Sequence, residues 1–327
     1  MKRIDYIDTA KGYLMLAVIL GHVLIVLNPD YSKLYFTSVQ AFIYAFHMPA
    51  FFVIHGILFD VQKWRAKPLK EFIIKRLQTL IIPYVFFEVI GIIWRAFFYK
   101  QSLWTGIYNL ITIRCNIGAD WFLPAMFLGS MLLIIYVKHP GKIYAVFSTV
   151  ICFLLPMLMS GHQIFIVVGR GLLAYGFIMI GSILKSLFLS EKVESLLWCT
   201  VSLLMTALSA IIGLKWGSND FYTCSVVNPL IFAVGGISGT VLTLGISRTV
   251  NIKIVTNYIG RYTLSIMGTH QLAIYMMTAV VPALVGGSLI YGLLLLIVIF
   301  VFEVPVVWFI EHYFGCFTGR EFKKRTI

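Results

Sequence analysis

Apolar runs about 20 residues long recur from one end of the chain to the other, separated by short polar stretches rich in Lys and Arg. Ten of them qualify as spans, at about 12–28, 37–59, 78–99, 121–137, 143–159, 164–184, 196–214, 225–246, 262–282 and 288–311. A run of this length predicts a helix that crosses a hydrocarbon core about 30 Å thick and satisfies its own backbone on the way. The expected fold is therefore all-α, a polytopic bundle of about ten transmembrane helices. No linker, internal repeat or polar block longer than a loop interrupts the series. Residues 1–327 read as a single membrane-embedded domain with no soluble domain.

Composition agrees with the pattern. The chain is 60% hydrophobic and 12% charged, with a mean hydropathy of +0.93, against about 25% charged in an average soluble domain. Its net charge of +13 raises nucleic acid as a partner, but the placement of the charge argues for topology. With the N-terminus in the cytoplasm, the inner segments carry Lys2, Arg3 and Lys11, then Lys63, Arg65, Lys67, Lys70, Lys75 and Arg76. Later inner segments carry Lys138 and Lys142, Lys185 and Lys192, then Arg248, Lys253 and Arg261, and a tail of Arg320, Lys323, Lys324 and Arg325. The opposite loops keep little beyond Lys33, Lys100, Arg114 and Lys215. Such asymmetry is the positive-inside rule, with both termini cytoplasmic and no nucleic-acid partner. The first apolar run contains Asp5, Asp8 and Lys11 near its start and no small-residue cleavage site, so it reads as a retained helix. Five scattered cysteines without a C-x-x-C pair give neither a disulfide framework nor a metal site.

Polar residues inside the spans carry the chemistry, because a titratable group at membrane depth is costly and faces a cavity or a partner. Lys11 and His22 are eleven residues apart in the first span. Helical geometry puts them within about 20° of one face and roughly 16 Å apart along the axis, a cation at the interface and an imidazole near mid-membrane. Asp8 lies one turn before Lys11. In the second span His47 and Pro49 stand together, then His55 and Gly56; the proline bends the helix beside a polar residue, and interhelical hydrogen bonding is the structural alternative for both histidines. Lys75 and Arg76 lead into a span entered by Pro83, and Glu88 lies inside that span in need of a partner. On the outer side Arg114, Asp120 and Trp121 cluster where the fourth span begins, Arg170 sits early in the sixth, and Asp220 lies in a short loop. Trp121 suits either a sugar face or an interfacial anchor. His270 reads as a structural hydrogen-bonding residue, and Glu303 and Glu311 as partners of the basic tail.

Several stretches then add up. Asp8-Thr9-Ala10-Lys11-Gly12 followed by His22, Phe46-His47-Met48-Pro49 followed by Phe52 and Gly56, and Lys75-Arg76 followed by Ile82-Pro83-Tyr84 resemble successive motifs of the acyltransferase-3 family of integral-membrane O-acyltransferases. Trp121-Phe122-Leu123-Pro124-Ala125 and Ile259-Gly260-Arg261 through Leu264-Ser265 to His270 agree, so the resemblance runs through most of the chain. It implies that Lys11 and His22 are the basic residue and the essential histidine of the family's first motif, with lysine where most members have arginine. Arg76 matches the first arginine of a two-arginine motif, and Thr79 occupies the place of the second. His55 stands where members often have serine, and Asp120 where a histidine often precedes the tryptophan.

Acyl transfer to a hydroxyl requires a base, an activated donor and stabilisation of the tetrahedral oxyanion. The resemblance implies acetyl-coenzyme A as donor, with His22, Lys11 and Asp8 catalytic, His22 acting as base or acyl relay. Arg76 and Lys75 are the expected contacts to donor phosphates. His47, Glu88, Trp121, Asp120 and Arg170 are supporting or acceptor-side candidates. The expected acceptor is a cell-surface or lipid-linked glycan, or a separate extracytoplasmic protein that takes the acyl group on. The expected location is the bacterial cytoplasmic membrane. No metal is expected, since no H-E-x-x-H set is present; a G-x-S-x-G elbow and a Walker loop are also absent. A transporter or flippase for a glycan or small anion, using His22, Glu88 and Arg170 as a path, is the rival reading, and a non-catalytic membrane anchor the third.

Overall fold

The computed structural model describes residues 4–159, 162–217, 220–226, 228–250, 252 and 258–319. The expected contributions of Lys2, Arg3, Lys253 and the tail beginning at Arg320 lie outside the described residues. The fold is all-α. Its helices are α1 (Asp5–Leu27), α2 (Leu34–Tyr44), α3 (His47–Leu58), α4 (Val61–Arg65), α5 (Leu69–Arg76), α6 (Ile82–Tyr99) and α7 (Leu103–Thr112). They continue as α8 (Phe122–Lys138), α9 (Lys142–Leu154), α10 (Gln163–Ile183), α11 (Lys185–Phe188), α12 (Leu196–Trp216), α13 (Pro229–Thr249), α14 (Thr263–Val280) and α15 (Leu289–Tyr313). An isolated bridge between Asp220 and Ser225 is the one β pairing among the described residues.

Ten spans were expected, and a helix lies at each. Eight helical segments among the described residues are both long and apolar enough to cross a bilayer. The other two fall short for different reasons. Lys142–Leu158, α9 with a 3₁₀ extension, is a shorter apolar helix, and α14 is diluted by Ser265, Thr269, His270 and Gln271, all buried. That polarity is turned inward, so α14 is an inner wall of the bundle. Lipid-type surface lies elsewhere: Leu196, Leu197, Leu204 and Ile211 on α12 and Ile290, Leu293, Ile297 and Val301 on α15 are exposed.

Loops gather at two ends. At one, Arg248 donates to the Tyr6 hydroxyl and the Ser190 carbonyl, and Arg65 to the Val137 carbonyl. At the other, Lys33 Nζ donates to the carbonyls of Leu27, Gly286 and Gly287. That ammonium sits at the C-terminus of α1, where helical carbonyls lack partners and a cation is favoured. Buried Asn28 completes the turn, donating to Thr37 Oγ1 and accepting from Lys33 N–H.

The second span is two helices. It breaks at Ala45–Phe46, and Pro49 lies in the first turn of α3, where its missing N–H is harmless. The break is packed against glycines of α13: a Cβ on Gly239 would come 2.1 Å from Phe46 Cβ, and one on Gly236 2.7 Å from Pro49 Cβ. Ahead of Pro83, Leu77–Ile81 forms a π-helical turn between α5 and α6, the type of bulge that relieves a proline's lost hydrogen bond.

The tightest crossing joins α3 and α10. A Cβ on Gly56 would lie 2.0 Å from the Ile178 carbonyl oxygen, and one on Gly181 2.1 Å from that of Val53. Two backbones touch there, as small residues permit between membrane helices. Gly56→Ala must push the helices apart, and we expect a loss of at least about 3 kcal/mol, the upper end of overpacking. Thermal unfolding in detergent would show it as a depressed midpoint beside an unchanged Gly141→Ala control, whose Cβ meets only Tyr144 at 3.9 Å.

Candidate functional site

A cavity of about 530 Å³ opens among α1, α3, α6, α14 and the loops carrying Cys115–Trp121 and Asp220–Thr223. His22 and His47 both line it, with Gln271, Arg95, Trp121 and Asp220. His22 is carried there by the continuous helix α1, His47 by the restart of the chain after the Ala45–Phe46 break. Since Lys11 is on the same face of α1, the helix joins this cavity to the Lys11 end of the bundle, roughly 16 Å away.

Each ring nitrogen has a defined situation. His47 Nδ1 lies 2.8 Å from the Ile43 carbonyl oxygen, which also accepts from Phe46 N–H at 3.2 Å. His22 Nδ1 lies 3.3 Å from Gln271 Nε2, and Gln271 Oε1 accepts from Ala119 N–H at 2.7 Å. His270, next to Gln271 on α14, bonds the Ile266 carbonyl through Nδ1 at 2.8 Å, as the structural reading expected. Its ring lies 5.2 Å from that of His22, and its Nε2 is buried with no hydrogen-bond partner.

The Ala119 amide is held by a clamp. Glu88, fully buried, accepts from Asn116 N–H on both oxygens (2.9 and 2.7 Å), from Asn116 Nδ2 (2.8 Å) and from Ile117 N–H (3.1 Å). Arg95 Nε donates to the Asn116 carbonyl at 2.6 Å from the other side. Glu88 therefore fixes the backbone that leads into Gly118–Trp121 and does not line the cavity; of the supporting and acceptor-side places expected for it, this position behind the wall is a supporting one. Asp120 lies behind the wall as well, with neither carboxyl oxygen hydrogen-bonded.

Trp121 does line the cavity and is 6% exposed, too enclosed for an interfacial anchor. Its ring packs on Phe221 at 5.2 Å. Arg170 backs it, with the guanidinium 5.5 Å from the Trp121 ring centre and 4.7 Å from that of Tyr222. Arg170 also donates to the Tyr222 and Ile113 carbonyls, so it ties α10 to the two loops that roof the cavity. Arg114 leaves the expected cluster and covers Tyr108. Glu303 accepts from Thr269 at 2.6 Å and Glu311 from Ser265, so both acidic groups of α15 bond α14.

A second cavity, about 200 Å³, lies at the Lys11 end, lined by His55, Phe59, Asp60, Lys63, Trp64 and Arg76 among others. The Arg76 guanidinium packs over Phe59 and Phe72, at 5.5 and 5.1 Å from the ring centres, and its Nε is buried without a hydrogen-bond partner. Lys11, 3.5 Å from Asp8, and Arg76 are the charged neighbours of His55. Lys75 lies next to Arg76 in sequence and does not line this cavity. Thr79, at the position of a second arginine, turns its hydroxyl back to the Lys75 carbonyl.

Sequence reasoning passed over Arg95 and Gln271. Both carried a weak signal: Arg95 follows Glu88 by seven residues on one helical face, and Gln271 adjoins His270 inside an otherwise apolar run. Among the described residues no cluster of His, Cys, Asp and Glu is arranged to hold a metal ion. In comparisons with known proteins, no curated protein and no solved structure matches the chain. A family model described as an acyltransferase domain matches residues 4–317. The motifs that flank His22, His47 and Arg76 thus fall within one match over nearly the whole chain, and this multi-pass membrane protein belongs to the acyltransferase-3 family of membrane acyltransferases.

Proposed function

We propose that the protein transfers an acyl group, acetyl in the first instance, from cytoplasmic acyl-coenzyme A to a hydroxyl of a cell-surface or lipid-linked glycan. The carrying observation is the arrangement of the two cavities along α1 and α3. Arg76, His55 and Lys63 line the small one, with Lys11 beside His55, and His22 and His47 line the large one. A partly buried guanidinium with an unpartnered Nε, packed over two aromatic rings, suits a nucleotide phosphate, which Arg meets with several donors at once. A donor held there by its phosphates has the long pantetheine arm of coenzyme A to carry its thioester toward His22. The acceptor enters from the opposite end, where Trp121, Tyr222 and Asp220 offer an aromatic face beside hydrogen-bonding groups.

The transport reading needed His22, Glu88 and Arg170 as a path. Glu88 is occupied by backbone N–H groups and Arg170 by carbonyls, and only His22 of the three lines the cavity. The observations favour chemistry at His22.

Purified protein in nanodiscs, given radiolabelled acetyl-coenzyme A and cell-envelope glycan, is expected to form labelled ester. His22→Ala in folded protein should lower the rate by at least about 10²-fold, the low end for a group acting on the transferred proton or charge. Wild-type rates in the His22→Ala protein would refute the assignment. Arg76→Ala should raise the donor KM about 10- to 100-fold, the equivalent of about 1.5–3 kcal/mol for a charged hydrogen bond, and leave the acceptor KM in place. Trp121→Ala should do the reverse, raising acceptor KM alone; initial-rate series in each substrate separate the two.

A further inference from the structure

We propose that His22 serves the transfer as a hydrogen-bond donor through Nε2–H, locked in that tautomer by Gln271, and that His47 is the base that takes the acceptor's proton. This rests on the acyl-transfer reading above and assigns what each histidine does within it.

The tautomers follow from partners that have no choice. A backbone N–H can only donate, so the Gln271 atom 2.7 Å from Ala119 N is the side-chain oxygen. The amide NH₂ is thereby turned to His22, and an NH₂ can also only donate. His22 Nδ1, 3.3 Å away, presents its lone pair, and the neutral ring carries its proton on Nε2. His47 is the opposite case. A carbonyl can only accept, so Nδ1, 2.8 Å from the Ile43 oxygen, holds the proton and Nε2 holds the lone pair. Neither Nε2 has a protein partner among the described residues, and both rings line the same cavity. His270 has the tautomer of His47, but its Nε2 is buried and the residue does not line the cavity. The cavity is thus furnished with one imidazole donor and one imidazole acceptor.

Those are the two groups that ester formation from a thioester requires. The acceptor oxygen attacks the thioester carbonyl carbon, forming the new C–O bond, while its proton passes to His47 Nε2. The carbonyl π pair moves to oxygen, and the resulting oxyanion accepts a hydrogen bond from His22 Nε2–H. When the C=O bond re-forms, the C–S bond breaks and the thiolate leaves with the proton from His47. Both rings end as they began, and no acyl-histidine is formed. Direct attack by His22 Nε2 would need its proton moved to Nδ1, which turns Gln271 over and strips Ala119 N–H of its acceptor.

Full-length protein in nanodiscs tests this with His22→Gln, His22→Ala, His47→Asn and Gln271→Glu. A glutamine at 22 supplies an amide N–H near the position of Nε2 but neither a base nor a nucleophile. We expect His22→Gln to transfer at least tenfold faster than His22→Ala. An asparagine at 47 supplies the amide N–H that bonds the Ile43 carbonyl and removes Nε2; thermal unfolding should stay at the wild-type midpoint and transfer should fall by at least about 10²-fold. His22→Gln as inactive as His22→Ala, His47→Asn within tenfold of wild type, or label from the donor retained on wild-type protein and lost in His22→Gln would each overturn the proposal. A spectroscopic arm needs no turnover, so it stands even if the acyl-transfer reading fails. With ring-¹⁵N histidine, the His22 signal, identified by its loss in His22→Gln, should show the Nε2–H pattern in wild type and the Nδ1–H pattern in Gln271→Glu. An Nδ1–H pattern in wild type, or no change in Gln271→Glu, would overturn the role of Gln271 as positioning residue.

Discussion

The arrangement of this protein turns on one backbone amide. Ala119 N–H, held in place by the Glu88 and Arg95 clamp on Asn116, donates to Gln271, and Gln271 in turn meets His22. The chain of contacts passes from α6 through an irregular loop to α14 and ends on α1. In a hydrocarbon core a buried polar group without a partner is expensive, so each link is enforced by the cost of breaking the next. Glu88 shows the point. A carboxylate fully buried in a span looks in the sequence like a functional charge, yet all its acceptor capacity is spent on the N–H groups of a loop that no helix or sheet satisfies. Irregular backbone at membrane depth is tolerated only where protein or a cavity surrounds it, and here Glu88 is that surrounding.

The same logic explains the helix breaks. Unbroken helices would use up their own carbonyls and leave histidines at positions set by periodicity alone. At the Ala45–Phe46 interruption the Ile43 carbonyl accepts from Phe46 N–H and also meets His47 Nδ1, and glycines of α13 close in on the break. The π turn at Leu77–Ile81 lies directly after Arg76 and before Pro83. Both irregularities adjoin a cavity, one at each end of the bundle. Elsewhere α1, α10 and α13 run without interruption and are closely packed through glycine contacts, which gives the irregular stretches a rigid frame.

Much of this frame was legible beforehand. Hydrophobic run length marks each span, because a membrane helix must satisfy its backbone internally, and the Lys11–His22 spacing holds in the structure because α1 is one continuous helix. Pro49 marked a bend, though the chain breaks before the proline and starts a new helix. What the sequence could not disclose is pairing across distance. Gln271 and His22 are 249 positions apart, and Glu88 and Asn116 are 28 apart, joined through backbone groups that have no sequence signature. Asp120 and Glu88 were grouped among supporting or acceptor-side residues, and neither residue type nor depth says which side of a wall a residue occupies. Trp121, read as either anchor or sugar contact, is placed by its burial against Phe221 and Arg170 in the cavity lining.

On the proposed reading, the lysine of the first motif acts together with a guanidinium, Arg76, that also neighbours His55. Arginine and lysine differ chiefly in the planar fork that grips an anion from two sides. In this chain Lys11 pairs with Asp8 and sits beside His55, while the planar guanidinium of Arg76, stacked over Phe59 and Phe72, lines the small cavity. On that reading the point charge at Lys11 has only to add to a field whose geometry Arg76 sets. The second arginine position is taken by Thr79, whose hydroxyl closes back on the Lys75 carbonyl at the π turn. Among the described residues Arg76 is the one guanidinium in the small cavity's lining, and on the proposed reading phosphate recognition rests on it, packed over two rings.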